Sequence, residues 1–264
     1  MASWKESQLD TVRGYLLHTI RARGACLLAL IDPDKQTSEA AGALCSMAHD
    51  NGVDAFLVGG SFLFTERFER TLQEIKAAVE CPVIIMPGAS GAQVHLSRHA
   101  DAALLLSLVS GRNAEYLIGE HVRAALGIKR IGLETIPTGY ILVESGRTTS
   151  LEWFSASRPI PADKPEIAMV HALAAEQLGM KMAYLDAGSG AKNPVPTDMV
   201  SLVAGEITIP LIVSGGLNRP ELVRERVEAG AALVVIGSAF EETAGPTVVA
   251  EFADAAHIGP RAAL

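Results

Sequence analysis

Glycine residues follow two neighbouring apolar runs near the end of the chain. Ser214-Gly215-Gly216 comes after Leu211–Val213, and Gly237-Ser238 comes after Leu233–Ile236. Glycine leaves backbone N–H groups unshielded, and clustered N–H groups bind anions. Loops after the seventh and eighth strands of a β/α barrel, with the N-terminus of a short helix, form a recurrent phosphate site. The two glycine sites therefore predict a phosphate clamp.

A third loop of small residues follows a tyrosine and an aspartate. The sequence there is Tyr184-Leu185-Asp186-Ala187-Gly188-Ser189-Gly190. Because alternate residues of a strand share a face, Tyr184 and Asp186 are expected to point to the same side. Such a pair could hold a polyol, and the N–H groups of the loop could hold a phosphate. The alternative is a structural strand that ends in a flexible turn.

Two further oxygen-bearing side chains follow earlier apolar runs. Asp32-Pro33-Asp34-Lys35 comes after Cys26–Ile31, and Gly59-Gly60-Ser61 comes after Ala55–Val58. A carboxylate and a hydroxyl suit Mg²⁺, which commonly bridges to substrate phosphates. Turn chemistry accounts for Asp-Pro-Asp equally well. Taken alone, the Gly-Gly-Ser stretch is better understood as a tight turn from a strand into a helix.

Short apolar runs alternate with amphipathic stretches along the whole chain. Continuous runs of this kind are expected for strands that are buried on both faces of a parallel sheet. The pattern predicts an α/β protein, and the length of 264 residues suits a single (β/α)8 TIM barrel domain over residues 1–264. In such a barrel the active site lies at the carboxyl ends of the strands. The predicted strands are Cys26–Ile31, Ala55–Val58, Val83–Met86, Ala102–Leu106, Tyr140–Val143, Met182–Leu185, Leu211–Val213 and Leu233–Ile236.

Helix signals lie between most of these runs. Ser38 and Asn218 are the predicted N-caps of the helices after the first and seventh strands, and Glu166–Leu178 has the periodicity of a helix. An extra helix, roughly over residues 6–21, precedes the first strand. We expect it to plug or to flank the barrel.

Two stretches interrupt the alternation. Pro87–Ala100 contains Gly88, Ser90 and Gly91 and is a poor full-length helix, so the third helix position is expected to be irregular. Ser145–Lys164 is a long connection, and long connections in compact domains are often functional lids.

The composition restricts the class of protein. The net charge is −8, which disfavours nucleic acid as a partner because nucleic-acid-binding proteins usually carry a basic face. No apolar run approaches the roughly 20 residues of a membrane span, and residues 1–10 lack the pattern of a signal peptide. The 3 cysteines are widely spaced, which predicts free thiols in a reducing cytoplasm.

Together, these motifs resemble geranylgeranylglyceryl phosphate synthase, a barrel prenyltransferase of ether-lipid synthesis. The Ala-Gly-Ser-Gly-Ala loop, and Leu30 where the related heptaprenylglyceryl phosphate synthases carry a lysine, resemble the second, largely archaeal-type group of that family. The matching stretches cover most of the chain: Leu30–Lys35, Asp54–Ser61, Tyr116–Gly119 with His121, Pro137–Leu142, Tyr184–Ala191, Gly215-Gly216 and Gly237-Ser238.

The resemblance implies transfer of a prenyl group, geranylgeranyl in that group, from its diphosphate to the 3-hydroxyl of sn-glycerol 1-phosphate. It makes Asp32 and Ser61 the Mg²⁺ ligands. Tyr184 and Asp186 would be catalytic, positioning the hydroxyl, with Asp186 accepting its proton. The residues matching the glycerol 1-phosphate site are Tyr184, Leu185, Asp186, Ala187, Gly188, Ser189, Gly190, Gly215, Gly216, Gly237 and Ser238.

The resemblance further implies an apolar groove for the prenyl tail, with Tyr116 near its deep end. It implies a homo-oligomer, either a dimer or a hexamer, and peripheral membrane contact through the product. One departure is Asp186, because the family usually has glutamate there.

Two other functions fit the residues. One is a different phosphate-binding barrel enzyme of sugar or amino-acid metabolism, although Lys35, Lys181 and Lys192 are poorly placed for a Schiff base. The other is a non-catalytic protein that binds prenyl phosphates or glycerophosphates. Such a protein would need no pair of metal ligands.

Overall fold

A closed barrel of eight parallel strands forms the centre of the molecule. The computed structural model describes residues 11–64, 66–88, 95–243 and 245–261. Each strand pairs with its neighbours in sequence, and the last pairs with the first. The strands are β1 (Cys26–Ile31), β2 (Ala55–Val58), β3 (Val83–Ile85), β4 (Ala102–Leu108), β5 (Glu134–Leu142), β6 (Met182–Asp186), β7 (Leu211–Ser214) and β8 (Leu233–Ile236). The predicted TIM barrel is confirmed; the extent of the domain over residues 1–264 stays a prediction.

Helices surround the barrel and connect its strands. A π-helical turn at Glu115–Gly119 leads directly into one of them. In the described part of the chain the α-helices are α1 (Val12–Arg23), α2 (Ser38–Asp50), α3 (Phe68–Ala78), α4 (Glu120–Ile131), α5 (Ser150–Ser155), α6 (Pro165–Gln177), α7 (Thr197–Glu206), α8 (Pro220–Glu228), α9 (Ser238–Thr243) and α10 (Pro246–Ala256). None of these helices combines the length and the apolarity that a membrane crossing requires.

Side chains of each strand alternate between two hydrophobic cores. Leu28, Leu57 and Ile84 belong to the core inside the barrel. Their neighbours in sequence, such as Leu27 and Phe56, belong to the core between barrel and helices. Because both faces of every strand must be buried, the strands are continuous apolar runs in the sequence.

The extra N-terminal helix closes the amino-terminal end of the barrel. Val12, Leu16 and Ile20 of α1 are buried in the same core as the inward-facing strand residues. The helix begins at Val12, with Thr11 as its N-cap, and ends at Arg23. The earlier part of the predicted helix, residues 6–10, lies outside the described residues.

A buried carboxylate ties this end of the barrel together. Asp54 Oδ1 accepts a hydrogen bond of 2.8 Å from Arg23 Nη1, and Oδ2 accepts one of 2.8 Å from the Leu27 backbone N–H. His257 Nε2 lies 2.9 Å from Asp54 Oδ2. Asp54 thereby links α1, β1 and the chain after α10.

Both predicted N-caps are wrong by one residue. Thr37 caps α2 by accepting a hydrogen bond from the Ala40 N–H. Ser38 is instead the first helical residue, and its buried hydroxyl lies 3.0 Å from that of Thr71. The N-cap of α8 is Arg219 rather than Asn218, without a side-chain hydrogen bond. In α2 the hydroxyl of Thr37, the residue before Ser38, is the one that accepts a hydrogen bond from a free N–H of the first turn.

The two irregular stretches are found as predicted in the described residues. Residues 87–88 and 95–100 contain no helix, and 89–94 lie outside the described residues. The connection over 145–164 contains the short helix α5, and Ile160 within it forms a bridge with Val143. The three cysteines are buried free thiols, so the prediction of no disulfide framework is confirmed.

Candidate active site

The carboxyl ends of the strands surround an open cavity of about 610 Å³. The predicted residues Leu185 and Ala187 do not line it, because their side chains face the helices and are fully buried there. The Ala187 N–H is also occupied, since it donates to the Ser214 carbonyl. The other predicted residues all line the cavity: Asp32, Ser61, Tyr184, Asp186, Gly188, Ser189, Gly190, Gly215, Gly216, Gly237 and Ser238.

The Asp186 carboxylate is held at the cavity wall by three donors. Its Oδ1 accepts hydrogen bonds from Ser214 Oγ at 2.5 Å and from the Gly188 N–H at 2.8 Å. Its Oδ2 accepts one from the Tyr140 hydroxyl. These donors come from β5, from β7 and from the loop after β6, so the orientation of Asp186 depends on the pairing of β6 with its two neighbouring strands.

Two tyrosines flank this carboxylate. Tyr140 and Tyr184 are paired across β5 and β6, and their rings meet edge to face with centroids 5.0 Å apart. Burial, followed by the nearby Asp186 charge, raises the pKa of both phenols well above the usual value. Both therefore stay protonated and able to donate at neutral pH. The buried Tyr184 hydroxyl has no hydrogen-bond partner among the described residues.

A cradle of glycines adjoins Asp186. Gly215 has a φ of +86° and Gly216 a φ of +71°, in the region that residues with a Cβ rarely adopt. A Cβ on Gly215 would lie 2.8 Å from the backbone nitrogens of Ala187 and Gly188. Only glycine allows the loops after β6 and β7 to approach this closely. The result is a concave surface of backbone, suited to an anion.

A second polar cluster lies at the ends of β1 and β2. A Cβ on Gly60 would lie 3.1 Å from Asp32 Oδ2, so the carboxylate packs against the loop that carries Ser61. Burial raises the pKa of the Asp32 carboxyl, while a hydrogen bond from the Asp34 N–H opposes that rise. The Asp32 N–H donates to Glu241 Oε1 at 3.0 Å, and Lys35 Nζ lies 2.5 Å from Glu241 Oε2.

The remaining wall of the cavity is largely apolar. Phe62 stacks on Phe154 of α5 with ring centroids 4.9 Å apart and also contacts Phe64, which is 83% exposed. This wall suits a hydrocarbon chain. Its other side chains include Leu30, Met86, Leu105, Leu106, Leu108, Tyr116 and Leu151.

Three side chains of the site were not predicted from the sequence. Tyr140 is predicted only as part of a strand, although an inward-facing polar residue beside a carboxyl end is a usable signal. Glu241 lies in α9 and meets Asp32 only because β8 pairs with β1. Arg147 lines the cavity from the connection after β5. Nothing in the local sequence indicates where the last two point.

The described residues contain no group of three or more histidine, cysteine or carboxylate side chains that could hold a metal ion. Asp32 and Ser61 therefore offer at most an incomplete set of ligands. Mg²⁺ is commonly held by one or two carboxylates, with substrate phosphates and water completing its shell. The donor set at β1 and β2 is compatible with that arrangement.

Comparison with known proteins agrees with this geometry. The chain is 42% identical over 228 residues to a geranylgeranylglyceryl phosphate synthase of Chitinophaga pinensis, covering 86% of this chain and 88% of the relative. It is 43% identical over 222 residues to the enzyme of that name from Korarchaeum cryptofilum, covering 84% and 90%.

Solved structures are also similar to this chain. One similar structure is that of (S)-3-O-geranylgeranylglyceryl phosphate synthase from Thermoplasma acidophilum in complex with its substrate sn-glycerol-1-phosphate. It superimposes with a TM-score of 0.88 at 30% sequence identity, covering 94% of this chain and 98% of that one. Thiamine phosphate pyrophosphorylase from Pyrococcus furiosus, at 11% identity and a TM-score of 0.58, covers 89% and 96% and shares the fold alone. The model of the PcrB family matches residues 18–256. The chain therefore belongs to the PcrB family.

Proposed function

We propose that this protein joins a prenyl group, geranylgeranyl, from its diphosphate to the 3-hydroxyl of sn-glycerol 1-phosphate, forming the first ether bond of an ether-type phospholipid. The observation that carries this proposal is one cavity with a glycine-lined cradle, a fixed carboxylate and an apolar wall. Such a cavity suits one small charged substrate and one long apolar substrate. The identity to synthases of that name supports the same reaction.

The acceptor would bind with its phosphate on the glycine cradle and its hydroxyl at Asp186. A carboxylate has about four acceptor sites, and protein donors use three of them on Asp186. The remaining site can accept the substrate hydroxyl. The unpartnered Tyr184 hydroxyl can donate to the glycerol. Aspartate in place of the family's usual glutamate still reaches the cavity wall.

The reaction is a substitution at C1 of the prenyl chain. The glycerol oxygen forms a bond to C1, and the bond from C1 to the diphosphate oxygen breaks with its electron pair leaving on the diphosphate. The hydroxyl proton passes to Asp186, which acts as general base. The cradle contributes orientation of the acceptor rather than bond chemistry.

Mg²⁺ is the proposed cofactor, with Asp32 and Ser61 as its protein ligands. When bound, the ion would neutralise negative charge on the diphosphate leaving group. Asp32 and the apolar wall line the same cavity. Glu241 accepts a hydrogen bond from the Asp32 N–H and pairs with Lys35, so it fixes the loop that carries Asp32. These contacts keep the carboxylate positioned before substrate arrives.

Product formation tests the proposed reaction. The protein would be incubated with Mg²⁺, sn-glycerol 1-phosphate and C15, C20 or C35 prenyl diphosphates, and the products sized by mass spectrometry. We expect the C20 ether. No product with any donor would overturn the proposed function, and a C35 product would overturn the assignment of geranylgeranyl as donor.

The metal role of Asp32 has a separate test. Asp32→Asn should lower turnover by at least about a hundredfold, because a neutral amide is a poor Mg²⁺ ligand. The affinity for sn-glycerol 1-phosphate, measured by calorimetry, should stay near that of the parent. Asp163→Asn, at an exposed position outside the cavity, is the control. Normal turnover in Asp32→Asn would remove the metal assignment.

We also propose a homo-oligomer, a dimer or a hexamer. Ile118, Val122 and Leu126 are spaced by four residues on the π-helical turn and α4 and are 54%, 69% and 57% exposed. A row of exposed apolar side chains is typical of an interface. Light scattering of Val122→Glu should show a smaller species than the parent, whereas Leu178→Glu at another exposed site should not. A monomeric parent would contradict the proposal.

Cytoplasmic location and peripheral membrane contact stay predictions.

A further inference from the structure

The connection after β5 packs directly against the loop after β6. The Asn193 N–H donates to the Ser145 carbonyl at 3.0 Å, and Ser145 Oγ donates to the Arg147 carbonyl at 3.0 Å. A Cβ on Gly188 would lie 2.6 Å from the methyl of Thr149. The backbone on both sides of Arg147 is thus held against the glycine cradle.

The Arg147 guanidinium lies over Gly190 of that cradle. A Cβ on Gly190 would be 3.5 Å from Nη1, 3.7 Å from Cζ and 3.8 Å from Nη2 of Arg147. These distances place the guanidinium within van der Waals reach of Gly190. The side chain lines the same cavity as Gly190, Gly215 and Gly216.

Among the described residues, Arg147 and Lys35 are the lysine and arginine side chains that line the cavity, and they differ in their ion pairs. Lys35 is neutralised by Glu241. Arg147 makes no ion pair with any residue that the structure describes. An uncompensated cation therefore stands beside a cradle of backbone amides, in a protein whose net charge is −8.

We propose that Arg147 binds the phosphate of the acceptor substrate. This inference rests on the proposed function and adds a charged ligand to a clamp otherwise made of backbone N–H groups. A guanidinium presents parallel N–H donors that match two phosphate oxygens, whereas a lysine offers only a point charge. Arg147 would thereby favour acceptors with a dianionic phosphate over uncharged polyols.

Calorimetric titration with inorganic phosphate, and then with sn-glycerol 1-phosphate, tests this role. Arg147→Gln should raise both dissociation constants about tenfold, which is the usual effect of losing a charge-assisted hydrogen bond. Arg147→Lys should recover only part of the loss. Arg158→Gln is the matched control, because Arg158 is exposed in the same connection but does not line the cavity. In turnover, KM for glycerol 1-phosphate should rise while kcat stays within about twofold.

The outcomes separate this inference from the proposed function. A parental phosphate affinity in Arg147→Gln, or a parent that binds no phosphate, overturns the role of Arg147. A selective loss of affinity for the prenyl diphosphate overturns it as well, since Arg147 would then serve the donor. A parent that binds phosphate through Arg147 but forms no ether product overturns the proposed function alone.

Discussion

Asp186 shows how a single carboxylate is kept in position without a charged partner. Its donors are the Tyr140 hydroxyl, the Ser214 hydroxyl and the Gly188 N–H. Neutral donors stabilise the carboxylate without neutralising it, so it keeps the charge that a general base needs. The Tyr140 hydroxyl donates to Asp186, so we assign Tyr140 the role of a positioning residue for that carboxylate.

Tyr140→Phe should reduce kcat about tenfold with little change in KM for either substrate, because the ring is kept while the donor to Asp186 is lost. Steady-state kinetics would measure both constants, and a fall in kcat without a rise in KM separates a positioning role from loss of substrate binding. Tyr15→Phe is the control, since the Tyr15 hydroxyl donates to the Asp54 carbonyl and Tyr15 does not line the cavity. An unchanged kcat would exclude the positioning role.

Loops after adjacent strands form the cradle together, and neither is a complete site alone. The loop after β7 supplies Gly215 and Gly216, and the loop after β6 supplies Gly188 to Gly190. Their close approach requires glycine at the contact points, as the 2.8 Å separation at Gly215 shows. The sequence predicts these loops as a phosphate site because glycine-rich loops after the late strands of a β/α barrel are typical of one. The structure brings the glycines to one cavity, and phosphate binding there stays a prediction.

Gly216→Asp should lower the affinity for sn-glycerol 1-phosphate by at least about a hundredfold. The substitution places a negative charge in the cradle, and it strains a residue whose φ is +71°. Calorimetry gives the affinity. Gly205→Asp provides the comparison, because that glycine lies near the end of α7 with no neighbour within 4 Å of a Cβ. Equal affinities for the parent and Gly216→Asp would show that the phosphate binds elsewhere.

Closure of the barrel connects residues from distant parts of the chain. Glu241 in α9 reaches the Asp32 backbone because β8 pairs with β1. At the opposite end, Asp54 joins Arg23 to His257. The catalytic rim and the amino-terminal end are therefore each held by one buried carboxylate that spans the closure. The Asp54 network therefore lies at the end of the barrel opposite the cavity.

Asp54→Asn should lower the free energy of unfolding by about 2–3 kcal/mol, because it removes the buried charge that pairs with Arg23 and weakens the hydrogen bond to the Leu27 N–H. Urea denaturation would measure the change. Substrate affinity in the folded variant should equal that of the parent, since Asp54 lies at the end remote from the cavity. Asp50→Asn, at an exposed position of α2, should change stability by less than about 0.5 kcal/mol. A stable Asp54→Asn variant would show that the network adds little.

The barrel and most strand positions follow from the sequence alone. The predicted residues Asp32, Ser61, Tyr184, Asp186 and the glycines line the cavity, and their roles in binding and catalysis stay predictions. Burial on both faces leaves continuous apolar runs, and the carboxyl end of each run marks the residues that reach the rim. Strand alternation separates Leu185 from Tyr184 and Asp186, but the sequence does not say which of the two faces turns inward. In the folded barrel Leu185 and Ala187 turn outward, while Tyr140 turns inward to Asp186. Arg147 and Glu241 joined the site because strand pairing and loop packing, which local sequence does not encode, bring them to the same cavity.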